Sequence, residues 1–240
     1  MTTPHRVRRF GAILPSVNVV FEHETRFLGL DDVSFHYTRV DAERGSDEGI
    51  LRGMADEAPR AAALLAHVKP ERVVYACTSG SLVGGPGFDT ALVSAMESAS
   101  GVPATTTVTE VVAAIRHVGA RRIGVATPYL EWVTEAEARF FESESLAVTG
   151  TASLGLVDGH DMAVLAPEDI AELARAVDSD DAEAVFLSCT NLPTLGVIDS
   201  IEHRLGKPVL SSNLATVWGL LGADSRLRRL GSLFGDRCAR

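Results

Sequence analysis

Three short segments recur along the chain in the same order and at nearly constant spacing. Arg8-Arg9-Phe10-Gly11-Ala12-Ile13-Leu14-Pro15 matches Arg121-Arg122-Ile123-Gly124-Val125-Ala126-Thr127-Pro128, an offset of 113 residues. Val73-Val74-Tyr75-Ala76-Cys77-Thr78 matches Val185-Phe186-Leu187-Ser188-Cys189-Thr190 at an offset of 112, and Gly101-Val102-Pro103 matches Gly206-Lys207-Pro208 at 105. One such match would be noise. Three in order indicate two copies of one folding unit, which confines the chain to architectures with two similar halves.

Apolar runs and helical periodicity alternate through both copies. Strands are expected at Arg9–Leu14, Val33–Val40, Arg72–Cys77, Val102–Thr107, Ile123–Ala126, Val148–Leu156, Ala184–Cys189 and Val209–Ser212. Helices are expected at Ser46–Val68, with a break or kink at Pro59, and at Phe88–Ser98, Glu110–Val118, Leu130–Ser143, Pro167–Val177, Val197–Leu205 and Leu214–Leu221. Alternation of this kind implies parallel sheets covered by helices. The expected fold class is therefore α/β, with two pseudo-symmetric lobes, each a parallel sheet flanked by helices. The first lobe takes residues 1–115, with 214–240 packing on it, and the second takes 116–213. Parallel sheets bind ligands beyond the carboxyl ends of their strands. Pseudo-twofold symmetry would aim equivalent strand ends at one inter-lobe cleft, with Cys77 and Cys189 on opposite sides of a ligand.

Composition narrows the partners. The net charge is −10, and a diffuse acidic surface argues against nucleic acid. It also would not attract an anion, so an anionic ligand needs local donors. No apolar run approaches the roughly 18 residues that span a bilayer, and the first residues lack the apolar core of a signal peptide. The chain reads as a cytoplasmic protein with no membrane partner. Its three cysteines would then be reduced thiols. Without Cys-x-x-Cys or clustered His and acids, no metal is expected.

The chemistry sits at the strand ends. Cys77-Thr78-Ser79-Gly80-Ser81 and Cys189-Thr190-Asn191 each follow an apolar strand. Backbone N–H groups at such a place favour a carboxylate and can depress a thiol pKa. A single buried cysteine is commonly structural, but matched cysteines at symmetric strand ends favour function. Cys238, in the polar tail, reads as incidental. Pro15-Ser16-Val17-Asn18, Pro128-Tyr129 and Ser211-Ser212-Asn213 add amides, hydroxyls and a phenol. For Asn18 and Asn213 turn formation is the alternative, and for Tyr129 a core or rim aromatic. Gly80 to Gly87 lacks the Gly-Lys-Ser/Thr of a phosphate loop and reads as a flexible loop over the cleft. His160 reads as an exposed loop histidine.

At these residues the chain resembles the Asp/Glu racemase superfamily, and within it the branch of maleate cis-trans isomerases and arylmalonate decarboxylases. The resemblance runs over about residues 6–222 and rests on Pro15-Ser16-Val17-Asn18, Cys77-Thr78-Ser79-Gly80, Thr127-Pro128-Tyr129, Ser188-Cys189-Thr190-Asn191-Leu192 and Lys207-Pro208-Val209-Leu210-Ser211-Ser212-Asn213. The decarboxylases carry glycine where this chain has Cys77, which disfavours simple decarboxylation. Glutamate racemases carry a histidine where this chain has Asn191. The isomerases resemble Pro-Ser-Ser-Asn where this chain has Val17, and place an asparagine where it reads Asp158-Gly159-His160-Asp161.

The resemblance implies cofactor-independent cis-trans isomerisation of a small unsaturated dicarboxylate, maleate to fumarate, by thiolate addition and elimination. Cys77 would be the nucleophile, Cys189 the opposing proton donor, and Tyr129 a catalytic phenol. Asn18, Thr78, Ser79, Thr190, Asn191 and Asn213 would bind the substrate's carboxylates with neutral donors. It also implies a homodimer. A two-cysteine racemase or epimerase, or a decarboxylase of a small carboxylate, uses the same residues. A cytosolic small-molecule binding protein would leave the paired thiols unexplained.

Overall fold

The computed structural model describes residues 7–42 and 47–235; the start expected for the second helix at Ser46, and Cys238, lie outside the described residues. The first half forms one parallel sheet from β1 (Arg8–Pro15), β2 (Val33–Val40), β3 (Arg72–Tyr75) and β4 (Ala104–Thr106), in the order β2-β1-β3-β4. The second half repeats it with β5 (Arg122–Thr127), β6 (Ala147–Ser153), β7 (Ala184–Leu187) and β8 (Val209–Ser211), in the order β6-β5-β7-β8. In each sheet the chain reverses its direction of winding between the two central strands. That switch opens a crevice beyond their carboxyl ends.

The helices are α1 (Val20–Arg26), α2 (Glu48–Leu65), α3 (Thr78–Leu82), α4 (Phe88–Ser100), α5 (Thr107–His117), α6 (Glu131–Ser143), α7 (Gly159–Ala163), α8 (Pro167–Ala176), α9 (Ile198–Leu205) and α10 (Ser212–Leu221). One core, including Phe10, Val74, Val125, Phe186 and Leu214, runs through both halves. A second, including Ile13, Leu51, Met54, Tyr75 and Met96, lies on the other face of the first sheet under α2 and α4. α10 packs against α5, where the Thr216 hydroxyl donates to that of Thr107 at 3.1 Å. Beyond it, Arg226 pairs with Asp32 at 2.7 Å, and Arg229 donates to the Leu28 carbonyl at 2.7 Å.

Several expectations are corrected. α2 continues through Pro59 without a break. Its buried face, Leu51, Met54, Ala58, Ala62 and Leu65, holds both sides of the proline on the sheet, and tertiary packing outweighs one lost hydrogen bond. β3 and β7 stop at Tyr75 and Leu187, so both cysteines stand just past the ladder. β6 stops at Ser153 rather than Leu156, because Leu154, Gly155 and Leu156 turn their N–H groups onto the carbonyls of Thr127, Tyr129 and Pro128. The expected flexible loop over the cleft begins instead as α3, whose residues Thr78–Leu82 are all buried. At Gly80 a Cβ would stand 2.6 Å from the Tyr75 hydroxyl and 3.0 Å from the Cys77 sulfur, so glycine there answers to close approach.

The duplication also repeats a helix–sheet contact. Gly11 and Gly124 occupy matched places in β1 and β5. A Cβ at Gly11 would meet the Leu65 side chain at 3.1 Å, whereas one at Gly124 would meet the Val177 carbonyl oxygen at 2.2 Å. A side chain can shift; a backbone carbonyl cannot without moving its helix. Gly124→Ala is expected to cost about 3 kcal/mol and Gly11→Ala about 1 kcal/mol. Urea unfolding of both variants checks the order, and equal losses would contradict it.

Candidate active site

Pro15 and β3 end at the same edge of the first sheet, Thr127 and β7 at the matching edge of the second. The segments that follow them enclose a cavity of about 210 Å3. Cys77, Cys189, Tyr129, Asn18, Ser79, Thr190 and Asn191 all line it. Thr78 and Asn213 do not. The Thr78 hydroxyl lies 2.8 Å from that of Ser212, and the Asn213 amide donates to Glu24 at 2.6 Å. His160 is exposed in the first turn of α7 and stands outside the lining.

Buried hydrogen bonds join the two halves at this edge. The Thr190 hydroxyl donates to the Ala76 carbonyl at 3.0 Å and accepts from the Asn18 amide at 3.0 Å. The Asn18 side-chain oxygen accepts the Phe21 N–H at 3.1 Å, tying down the start of α1. The Asn191 oxygen accepts the N–H groups of Val19 and Val20 at 2.9 and 3.2 Å, and its amide donates to the Gly159 carbonyl at 2.7 Å. Asn18 and Asn191 therefore shape the wall as well as facing it. One Asn18 N–H remains for a ligand, with the first-turn N–H of Ser79, which finds no partner within a helix; the Ser79 hydroxyl lies 3.9 Å from the Cys77 sulfur.

The two cysteines differ in detail. Cys77 caps α3, its sulfur accepting the Gly80 N–H at 3.4 Å. Cys189 sits at φ 104, a conformation that non-glycine residues enter only when their surroundings hold them there. The hold is visible: its N–H donates to Ser212 at 3.0 Å and its sulfur accepts the Asn191 N–H at 3.2 Å. The same Ser212 hydroxyl meets Thr78, so the first half helps fix the backbone of the second half's cysteine.

Burial pushes both thiols up, against the expectation that strand-end amides depress them. Cys77 is raised by desolvation and pulled back by Gly80 N–H, Ser79 and Tyr75. Cys189 is pushed up to about 12 by desolvation, with Tyr129 and the Asn191 N–H opposing and the charges of Cys77 and Glu137 adding to the rise. Tyr129 is raised well above the usual phenol by its burial and by Cys189 beside it. Its backbone is pinned by Ser153, which donates to its carbonyl at 2.6 Å.

Several wall residues carry no sequence signal beyond being apolar: Leu51 and Met54 from α2, Val133 from α6, and Val157 and Met162 around α7. Two carboxyls, Glu24 half-buried and Glu137 buried, were legible but missed. Glu24 and Glu137 stand 113 residues apart, the offset of the duplication. Glu24 accepts the Leu195 N–H at 2.7 Å, and burial raises it to about 7. Glu137 is fully buried, accepts from the Ser188 hydroxyl at 2.8 Å, and is raised by burial to about 8. Among the described residues no group of His, Cys, Asp or Glu is placed to hold a metal, and no helix is long and apolar enough to cross a membrane.

A family model described as arylmalonate decarboxylase matches residues 24–234. The chain is 29% identical over 226 residues to the maleate isomerase of Nocardia farcinica, covering 90% of this chain and 89% of that protein. It is 39% identical over 165 residues to the arylmalonate decarboxylase of Bordetella bronchiseptica, covering 66% and 69%. Among solved structures it matches a cysteine-to-serine variant of the Nocardia farcinica maleate cis-trans isomerase with a covalently bound succinylcysteine intermediate. That match has a TM-score of 0.84 and 28% identity, and covers 90% of this chain and 91% of the other.

The Glu137 carboxyl leaves a signature in stability. Its native pKa of about 8 exceeds the ordinary carboxyl value, so between roughly pH 4.5 and 8 the folded state holds the extra proton. The contribution is complete below that window and is lost as pH rises through it, on the order of 4 kcal/mol in all. Glu137→Gln removes the titration. Its stability relative to the parent is expected to rise from pH 5 to about pH 8 and to level off above that in denaturant unfolding; a pH-independent difference would contradict the assignment.

Proposed function

The chain belongs to the arylmalonate decarboxylase family, and from that premise we propose that it is a cofactor-independent cis-trans isomerase converting maleate to fumarate. One observation carries the reading: two cysteines from matched strand ends line one cavity. A decarboxylase that only returns a proton to one face needs one such group. A reaction that adds a nucleophile and also moves a proton needs two.

The surroundings of the thiols divide the labour. Three groups oppose the rise of Cys77, while neighbouring negative charge adds to that of Cys189. Cys77 is therefore the easier thiol to ionise, and Cys189 keeps its proton. The Cys77 thiolate forms a bond to one alkene carbon, and the π electrons move into the carboxylate on the other carbon as an enediolate. The Cys189 thiol delivers its proton to that carbon, giving a succinyl thioether. The former double bond is now single and rotates. The Cys189 thiolate then takes the proton back, the C–S bond breaks, and fumarate leaves with the Cys77 thiolate restored.

In this reading the Ser79 N–H and hydroxyl and the free Asn18 N–H receive the carboxylates. The Tyr129 phenol stabilises charge beside Cys189. Thr78, Thr190, Asn191 and Asn213 support the site through their hydrogen bonds. Among the described residues no arginine or lysine lines the cavity, so fixed dipoles and neutral donors hold the anion. The protein works in the cytoplasm, where both thiols stay reduced, as the homodimer the family resemblance implies.

Proton NMR of the protein with maleate in deuterated water tests the reading. Fumarate is expected, with kcat/KM still rising with pH above the ordinary thiol range, because burial raises the Cys77 thiol that must ionise. Cys77→Ala should abolish turnover, and Tyr129→Phe should lower kcat by about 10²-fold with little change in KM. Deuterium exchange into an amino acid without any fumarate would favour the two-cysteine racemase instead.

A further inference from the structure

The catalytic cavity is two-sided. Polar groups come from the strand ends and from Asp158, and much of the remaining lining is hydrocarbon: Leu51, Met54, Val133, Val157 and Met162. The hydrocarbon side continues. Leu51, Ser79 and Val133 also line a second cavity of about 480 Å3, whose further wall includes Leu82, Val83, Pro86, Trp132, Ala136 and Phe140. At its rim Glu48 and Arg139 each pair with a neighbour on their own helix, Arg52 at 2.8 Å and Glu135 at 3.4 Å. Leu51 of α2 and Val133 of α6, with Ser79, therefore form the boundary that the two cavities share.

Maleate would leave this side of the site unused, since each of its alkene carbons carries only hydrogen besides its carboxylate. We infer that the substrate is a 2-alkylmaleate whose hydrocarbon branch passes between Leu51 and Val133 toward the second cavity. The inference rests on the isomerase reading and specifies its substrate class. The chemistry balances as before. The Cys77 thiolate adds to the unsubstituted alkene carbon, where nothing blocks its approach. The enediolate forms at the carbon that carries the branch, Cys189 protonates that carbon, and after rotation the reverse steps release a 2-alkylfumarate. Burial of one carbon of a branch in an apolar pocket raises kcat/KM about tenfold, and the longer branch gains less per carbon as it reaches the second cavity.

The test compares maleate, 2-methylmaleate and 2-butylmaleate as substrates of the full chain, following the fumarate product by NMR. kcat/KM is expected to rise about tenfold from maleate to 2-methylmaleate and again to 2-butylmaleate. Ala136→Phe fills the second cavity and should lower the ratio of 2-butylmaleate to maleate turnover about tenfold, a ratio measured within one variant and so independent of its overall activity. Turnover of maleate that falls along the series, or a ratio unmoved by Ala136→Phe, would overturn the inference and leave the isomerase reading standing. Failure to turn over any of the three would overturn both.

Discussion

Two parallel sheets that aim their carboxyl edges at each other bring unpaired backbone groups into a buried seam. Each such group must find a partner or cost the fold free energy. The seam here is closed by side chains reaching across it: Thr190 to the Ala76 carbonyl, Asn191 to the Val19 and Val20 N–H groups, Glu24 to the Leu195 N–H, and Ser212 to both Thr78 and the Cys189 N–H. Everything at the site follows from this closure. It sets the spacing of the two cysteines and carries the Cys189 backbone at φ 104. It also commits most of the polar side chains, so the cavity keeps few donors and a largely apolar wall.

The duplication supplies two similar halves, and small departures from symmetry make them do different work. Tyr75 in the first half stands where Leu187 stands in the second, which places a buried phenol near Cys77 where the second half has only hydrocarbon. Ser188 stands where Ala76 stands, and it donates to Glu137; once Cys77 is ionised, its charge disfavours a second thiolate at Cys189. Burial raises both thiols, but its neighbours let one ionise first. In the proposed reaction a nucleophile and an acid thus arise from one repeated strand end, with no arginine or lysine among the described residues of the lining.

Much of this was legible in the sequence because duplication and periodicity are local properties. The repeated Arg-Arg-x-Gly and Cys-Thr segments were enough to expect two parallel sheets, the cleft and the cysteine pair. What was not legible depends on contacts across the seam. The unbroken α2 at Pro59 reflects packing on the sheet, and the helical start of the glycine-rich segment reflects the approach of Tyr75 and Cys77 to Gly80. The upward shift of the thiols reflects depth of burial, which no motif records. Asn213 and Thr78 look like binding residues in sequence because they adjoin strand ends, yet their side chains turn to Glu24 and Ser212. The apolar wall from α2, α6 and α7 is assembled from residues that any core would contain. Glu24 and Glu137 are the exception: their 113-residue spacing could have singled them out.

The central claim is that Cys77 bonds to the alkene while Cys189 moves the proton. Incubating Cys189→Ser with maleate, then measuring intact mass and mapping the modified peptide, tests it most directly. Loss of the proton-transferring thiol should leave the adduct unable to collapse at its normal rate. The account predicts one equivalent of maleate bound covalently, as a succinyl thioether on Cys77. An adduct on any other residue, or a Cys189→Ser protein that isomerises maleate at the parent rate, would contradict it.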